Sequence, residues 1–129
     1  MANEVSWDTP GKALRLKLCG DLALEAFAEI DRQINERLQE SDGRVVLVVD
    51  ASDAKFPPYG IEPFRSSQTY LQSRQIEQLV VVSNSKLNRL AMLLLFNLCR
   101  PKLLLCDNFD EAQRFLAKFN SSEFGVAGF

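Results

Sequence analysis

The chain contains no histidine. That removes the commonest general base, the commonest metal ligand and every Ser-His or Cys-His nucleophile pair. Carboxylate and lysine chemistry would remain, but the expectation is a protein that is not an enzyme and needs no metal or cofactor. Cysteine is sparse and odd in number: Cys19, Cys99 and Cys106. Their spacing fits no zinc pattern and each lies in or beside an apolar segment, so all three are expected to be buried free thiols in a reducing, cytoplasmic setting. No signal peptide is expected in residues 1–10, where Glu4 and Asp8 interrupt the apolar positions. The longest uninterrupted apolar run, residues 90–96, is too short for a bilayer. Long basic runs are missing too and the net charge is -2, so sustained phosphate contacts with nucleic acid are not expected.

What is present is an ordinary globular composition. Hydrophobic residues make up 47% and charged residues 25% of 129, enough to bury a core and too apolar for disorder. No repeat, linker or low-complexity stretch divides the chain. One domain over residues 1–129 is expected, with 120–129 as a flexible tail.

Periodicity gives the order ββαβαβαβα. Residues 4–7 are a weak strand signal, and Pro10-Gly11 turns the chain. Residues 12–18 alternate, with Leu14, Leu16 and Leu18 on one side and Ala13, Arg15 and Lys17 on the other, which predicts a half-solvated strand in an antiparallel hairpin. Gly20 ends it, and Asp21 is a candidate N-cap. Leu24, Phe27, Ile30, Ile34 and Leu38 then form one helical stripe. Residues 45–49 are an unbroken β-branched and Leu run ending in Asp50, the mark of a central strand covered on both faces. A loop at 51–59, a helix at 60–73, a strand at 79–82, an apolar helix at 86–98 and a strand at 102–106 follow. Asn108 and Glu111 have capping-box spacing before a last helix with Ala112, Phe115, Leu116 and Phe119 on its apolar face. The expected fold is therefore α/β: a mixed sheet of about five strands, the first antiparallel, with about four helices.

Ligands of open α/β sheets bind at the carboxyl ends of the strands. Asp50, Asp53, Ser83 and Asp107 collect there, where they could in principle hold a phosphate or a metal. They are equally what turns and caps require. No glycine-rich cradle accompanies them, and no later carboxylate completes a calcium loop. The turn reading is the better of the two.

The apolar helix carries more information. Leu87, Leu90, Ala91, Leu94 and Leu98 form the expected core stripe. That leaves Met92, Leu95, Phe96 and Cys99 on a face a solvated helix would keep polar. Either a second copy covers that face, making a homodimer, or the C-terminal tail does.

The arrangement resembles the STAS domain family, the sulfate-transporter and anti-sigma-factor-antagonist modules, from about residue 14 to 119. The resemblance is carried by the strand ending in Gly20 before a long helix, by the strand ending in Asp50 with Ala51-Ser52 behind it, and by Asn108-Phe109-Asp110-Glu111-Ala112 opening the last helix. It implies a STAS-like regulatory module that binds a protein partner. In regulatory members a phosphorylatable serine stands just before a glycine that opens the helix after the aspartate-ended strand. Here Tyr59 stands before Gly60, in the stretch Phe56-Pro57-Pro58-Tyr59-Gly60. A divergent member lacking the serine switch is expected, contacting its partner through residues 56–70, with Phe56, Pro57, Pro58, Tyr59, Gly60 and Phe64 as contact residues. The alternative the resemblance offers is a domain that binds a small apolar ligand or lipid between helix and sheet.

Overall fold

In a computed structural model, the structure describes residues 3–9, 11–21, 24–41, 43–55, 66, 68–86, 90, 93 and 101–127. The strands are β1 (Glu4–Thr9), β2 (Ala13–Asp21), β3 (Val45–Lys55), β4 (Ile76–Val82) and β5 (Lys102–Cys106). The α-helices among the described residues are α1 (Leu24–Gln39) and α2 (Phe109–Ala127), with a 3₁₀ turn at Thr69–Gln72. The strands form one mixed sheet in the order β1-β2-β3-β4-β5. β1 is antiparallel to β2 and the other pairs are parallel, as the alternation and the short turn require.

The hairpin turn closes with the Lys12 amide donating to the Thr9 carbonyl at 2.9 Å. Gly11 sits there at φ 76, a region where a side chain would be strained. Alternation along β2 then splits the sheet's two faces. Leu14, Leu16 and Leu18 join Leu47, Val49, Leu79 and Val81 in a core covered by Phe27, Ile30, Ile34 and Leu38 of α1. Ala13, Val46, Val48, Val80 and Val82 form the opposite core, covered by Ala112 and Leu116 of α2. Residues 45–49 of β3 are all fully buried, which is why the sequence shows no alternation there.

Polar side chains hold α1 to the chain that follows it. Gln75 Nε2 donates to the Leu38 carbonyl in the last turn of α1 at 2.9 Å and to the Ser41 carbonyl just beyond it at 2.8 Å. Asp31 accepts from the Tyr70 amide at 3.1 Å and from the Thr69 hydroxyl at 2.8 Å, which docks the 3₁₀ turn onto α1.

Three expectations need correction. β3 runs on to Lys55 instead of giving way to a loop at 51, because Cys19, Gly20 and Asp21 of β2 extend far enough to pair with Asp53, Ala54 and Lys55. Asp21 therefore belongs to β2 and is not the cap of α1, which begins at Leu24. The helix expected at 60–73 does not reach 73: Gln68 leaves helical geometry at φ -94, ψ 75, and a 3₁₀ turn replaces the last turns. The last helix, α2, includes residues 120–127.

The expected four helices are thus two α-helices among the described residues. Ser66, and Lys86, Leu90 and Leu93, are individually helical within the other two expected stretches. Leu90 was placed on the core stripe but is 55% exposed, and Leu93 is 44% exposed. On a helical wheel Lys86, Arg89 and Asn97 share one side and Leu90 and Leu93 fall beside them, a signal that the apolar stripe outweighed. No helix among the described residues is long and apolar enough to cross a membrane.

Candidate functional site

The carboxyl ends of the parallel strands bring Asp50, Asp53, Ser83 and Asp107 to one end of the sheet, but not into one cluster. Asp50 is occupied twice. Its Oδ1 accepts from the Ser52 amide at 3.2 Å, and its Oδ2 accepts from Arg15 at 3.2 Å. Asp53 is exposed and pairs in register with Cys19. Ser83 is fully buried; its amide donates to the Cys106 carbonyl at 3.0 Å and its hydroxyl accepts from the Ser85 amide at 3.2 Å. Asp107 is exposed beyond β5, and its amide donates to Glu111 at 3.3 Å. Among the described residues, no group of three or more His, Cys, Asp or Glu could hold a metal ion. The Asp50 and Ser83 side chains accept from the Ser52 and Ser85 amides, as residues that shape local turns do.

The α2 cap forms nearly as read. The Glu111 amide donates to Asn108 Oδ1 at 3.0 Å. The Glu111 carboxylate reaches back to the amide of Asp107, one residue before the usual box position. Cys106 lies buried just ahead of the cap. Burial pushes its thiol pKa up, and the Glu111 and Asp107 carboxylates add to the effect. Cys19 and Cys106 are both buried and free of disulfides, as expected; Cys99 lies outside the described residues.

Sequence reasoning missed the part played by Arg15. On β2 it alternates outward from the leucines and reads as a solvated charge. In the fold, one terminal nitrogen pairs with Asp50 across the β2–β3 ladder, and the guanidinium lies 4.3 Å from the centre of the Phe109 ring at the start of α2. Its Nε–H is buried without an acceptor among the described residues. Arg15 therefore ties β2, β3 and α2 together on the face that α2 only partly covers. Beside it Glu4, Ser6 and Lys17 line a shallow polar hollow of about 140 Å³. The signal available in sequence was a lone Arg on a strand adjacent to one ending in Asp.

The residues expected to bind a partner, Phe56, Pro57, Pro58, Tyr59, Gly60 and Phe64, lie outside the described residues. So do Met92, Leu95, Phe96 and Cys99, the expected self-association face. What the structure fixes is where the first of these stretches starts. Lys55 is the last residue of β3 and pairs with Asp21, so Phe56 follows directly from a strand anchored in the sheet.

No family model matches the chain, and no curated protein matches it. Among solved structures, the chain is similar to an uncharacterized DUF3478-family protein with a SpoIIAA-like fold from Shewanella loihica PV-4. The TM-score is 0.64 at 11% sequence identity, covering 89% of this chain and 92% of that one. The fold is therefore SpoIIAA-like, the fold of the anti-sigma-factor-antagonist modules that the sequence resembles.

Proposed function

We propose that this chain is a regulatory protein-interaction module without catalytic activity. In this reading it contacts a regulatory protein through the segment that follows β3, at residues 56–70, and it lacks the serine switch because Tyr59 occupies the position before Gly60. The observation that carries the reading is the SpoIIAA-like fold across most of the chain. Two details are in keeping with it. Asp50 and Ser83, two of the side chains that catalysis at the strand ends would recruit, are tied into an ion pair and local turns. The contact segment begins at the end of a strand held in the sheet, a rigid mount for a recognition loop.

The experiment is quantitative affinity capture from host extract with the full chain, comparing wild type with Phe56→Ala/Tyr59→Ala. The reading expects a defined protein enriched on wild type and lost with the variant, at unchanged thermal stability of the bait. Equal capture by both would reject these residues as the contact.

A further inference from the structure

The edge of the sheet at β5 is suited to a second copy of this chain, and two separate features agree on how that copy would sit. The first is the strand. β5 pairs with β4 on one side, and among the described residues no strand pairs with it on the other. Its sequence, Lys102-Leu103-Leu104-Leu105-Cys106, leaves the three leucines only half-buried. The other edge, β1, is blunted by exposed Glu4 and Asp8 and by a bulge between Trp7 and Thr9. β5 carries Lys102 alone at one end and no bulge, so among the described residues its edge is the less protected against pairing.

The second feature is α2. Ala112 and Leu116 are its buried, sheet-facing residues. The crossover from β2 through α1 to β3 lies on the opposite face, and right-handed crossovers fix the hand of the sheet. Following the helix from that orientation, the positions of Glu111, Phe115 and Lys118 turn toward the β5 side. With Arg114 these same residues line an open groove of about 430 Å³. They stand at i, i+3, i+4 and i+7, one stripe along the helix.

Both features are self-complementary about the same axis. An antiparallel β5 pair centred on Leu104 sets Leu103 against Leu105 of the second copy and Leu104 against itself. An antiparallel α2 pair centred between Arg114 and Phe115 sets Glu111 against Lys118, twice. From the loop at the top of β5, the helix centre lies about 8 Å down at 1.5 Å per residue, and Leu104 lies about 7 Å down at 3.3 Å per residue. One two-fold axis therefore serves both. Strands about 4.8 Å apart place a helix lying between β4 and β5 about 5 Å from that axis. The two helices would then be about 10 Å apart, at the upper end of packing distances. A short strand pair alone is too small for a stable interface, and the helix stripe supplies the remainder.

We infer that the protein forms a two-fold dimer with a continuous ten-stranded sheet through β5 and an antiparallel α2 pair closed by Glu111–Lys118 ion pairs. It involves none of Met92, Leu95, Phe96 and Cys99, the residues that the sequence singled out for self-association.

The test is sedimentation velocity of the full chain over a wide concentration range, with thermal melts as a fold control. Wild type is expected as a dimer. Lys118→Glu and Glu111→Lys are each expected to weaken association at least tenfold, by setting like charges against each other. Mixing the two variants is expected to restore the dimer, since a mixed pair again matches opposite charges. Glu111 also serves the α2 cap, so Leu104→Cys gives an arm independent of it: a disulfide-linked dimer should form on oxidation. A wild-type monomer at the highest concentration overturns the inference. So does a dimer indifferent to both charge variants, or one whose Leu104→Cys form does not crosslink.

Discussion

Arg15 and Asp50 meet at 3.2 Å across neighbouring parallel strands, with the Asp50 side chain only 13% exposed and the Phe109 ring against the guanidinium. A pair that shielded is worth more as a structural tie than a solvent-exposed one, because breaking it leaves a partly buried charge without its partner. Asp50 also accepts from the Ser52 amide, so it shapes the path of β3 beyond the point where β4 stops pairing with it.

Asp50→Ala should therefore lower unfolding stability by roughly 1–3 kcal/mol, through the lost ion pair and the unpaired Ser52 amide. Urea denaturation measures it. Unchanged stability, together with loss of some assayed turnover, would favour a catalytic Asp50 over a structural one.

Gln75 caps α1 from a distance in sequence. Gln75→Ala removes the donor to the Leu38 and Ser41 carbonyls and should cost about 1–2 kcal/mol. Gln75→Glu should cost more, because a carboxylate would face those carbonyls in place of an amide. Equal stability of the two variants would show that the amide's hydrogen bonds contribute nothing.

Acid should act on α1 late. Glu29 is held down to about 2 from the ordinary 4.5, mainly by its hydrogen bond from Arg32 and then by that from Gln33. A depressed carboxylate contributes stability that is complete above the ordinary value and is lost as pH falls toward the folded one. The Glu29 contribution should thus persist at pH 5 and fade between about 4.5 and 2. Glu29 is exposed, so added salt should weaken the effect. Carboxyl NMR titration with Arg32→Ala checks it: the Glu29 midpoint should rise toward the ordinary value, and a midpoint unmoved by the variant would contradict the assigned cause.

Cys106 should alkylate far more slowly than a free thiol at mildly alkaline pH, since it is 3% exposed and its pKa is raised. Mass spectrometry of an iodoacetamide time course, native against urea-unfolded, measures this. Native labelling at the unfolded rate would mean that the α2 cap does not cover β5.

The sheet was legible in sequence where period alone decides: the leucines of β2, the unbroken valines of β3, and the Phe27–Ile30–Ile34–Leu38 stripe. It was not legible where a partner strand decides. Residues 51–55 look like a loop because Ser52 and Asp53 are turn residues, yet β2 extends alongside and makes them strand. Gln68 carries no helix-breaking signal, yet it leaves helical geometry where Thr69 and Tyr70 dock onto Asp31. Leu90 was misplaced although it falls beside Lys86 and Asn97 on a helical wheel, because it also borders the leucine stripe. At the site, the turn roles of Asp50 and Ser83 were readable from residue type. The Arg15–Phe109 stack was not, since it joins residues far apart in the chain.

The most direct test of the interaction reading is hydrogen exchange of the full chain, free and bound to the protein it captures. The expected result is protection concentrated in residues 56–70, with the β1–β2 hairpin unchanged. Protection confined to β1–β2 or to the strand-end carboxylates, with residues 56–70 exchanging as in the free chain, would contradict it.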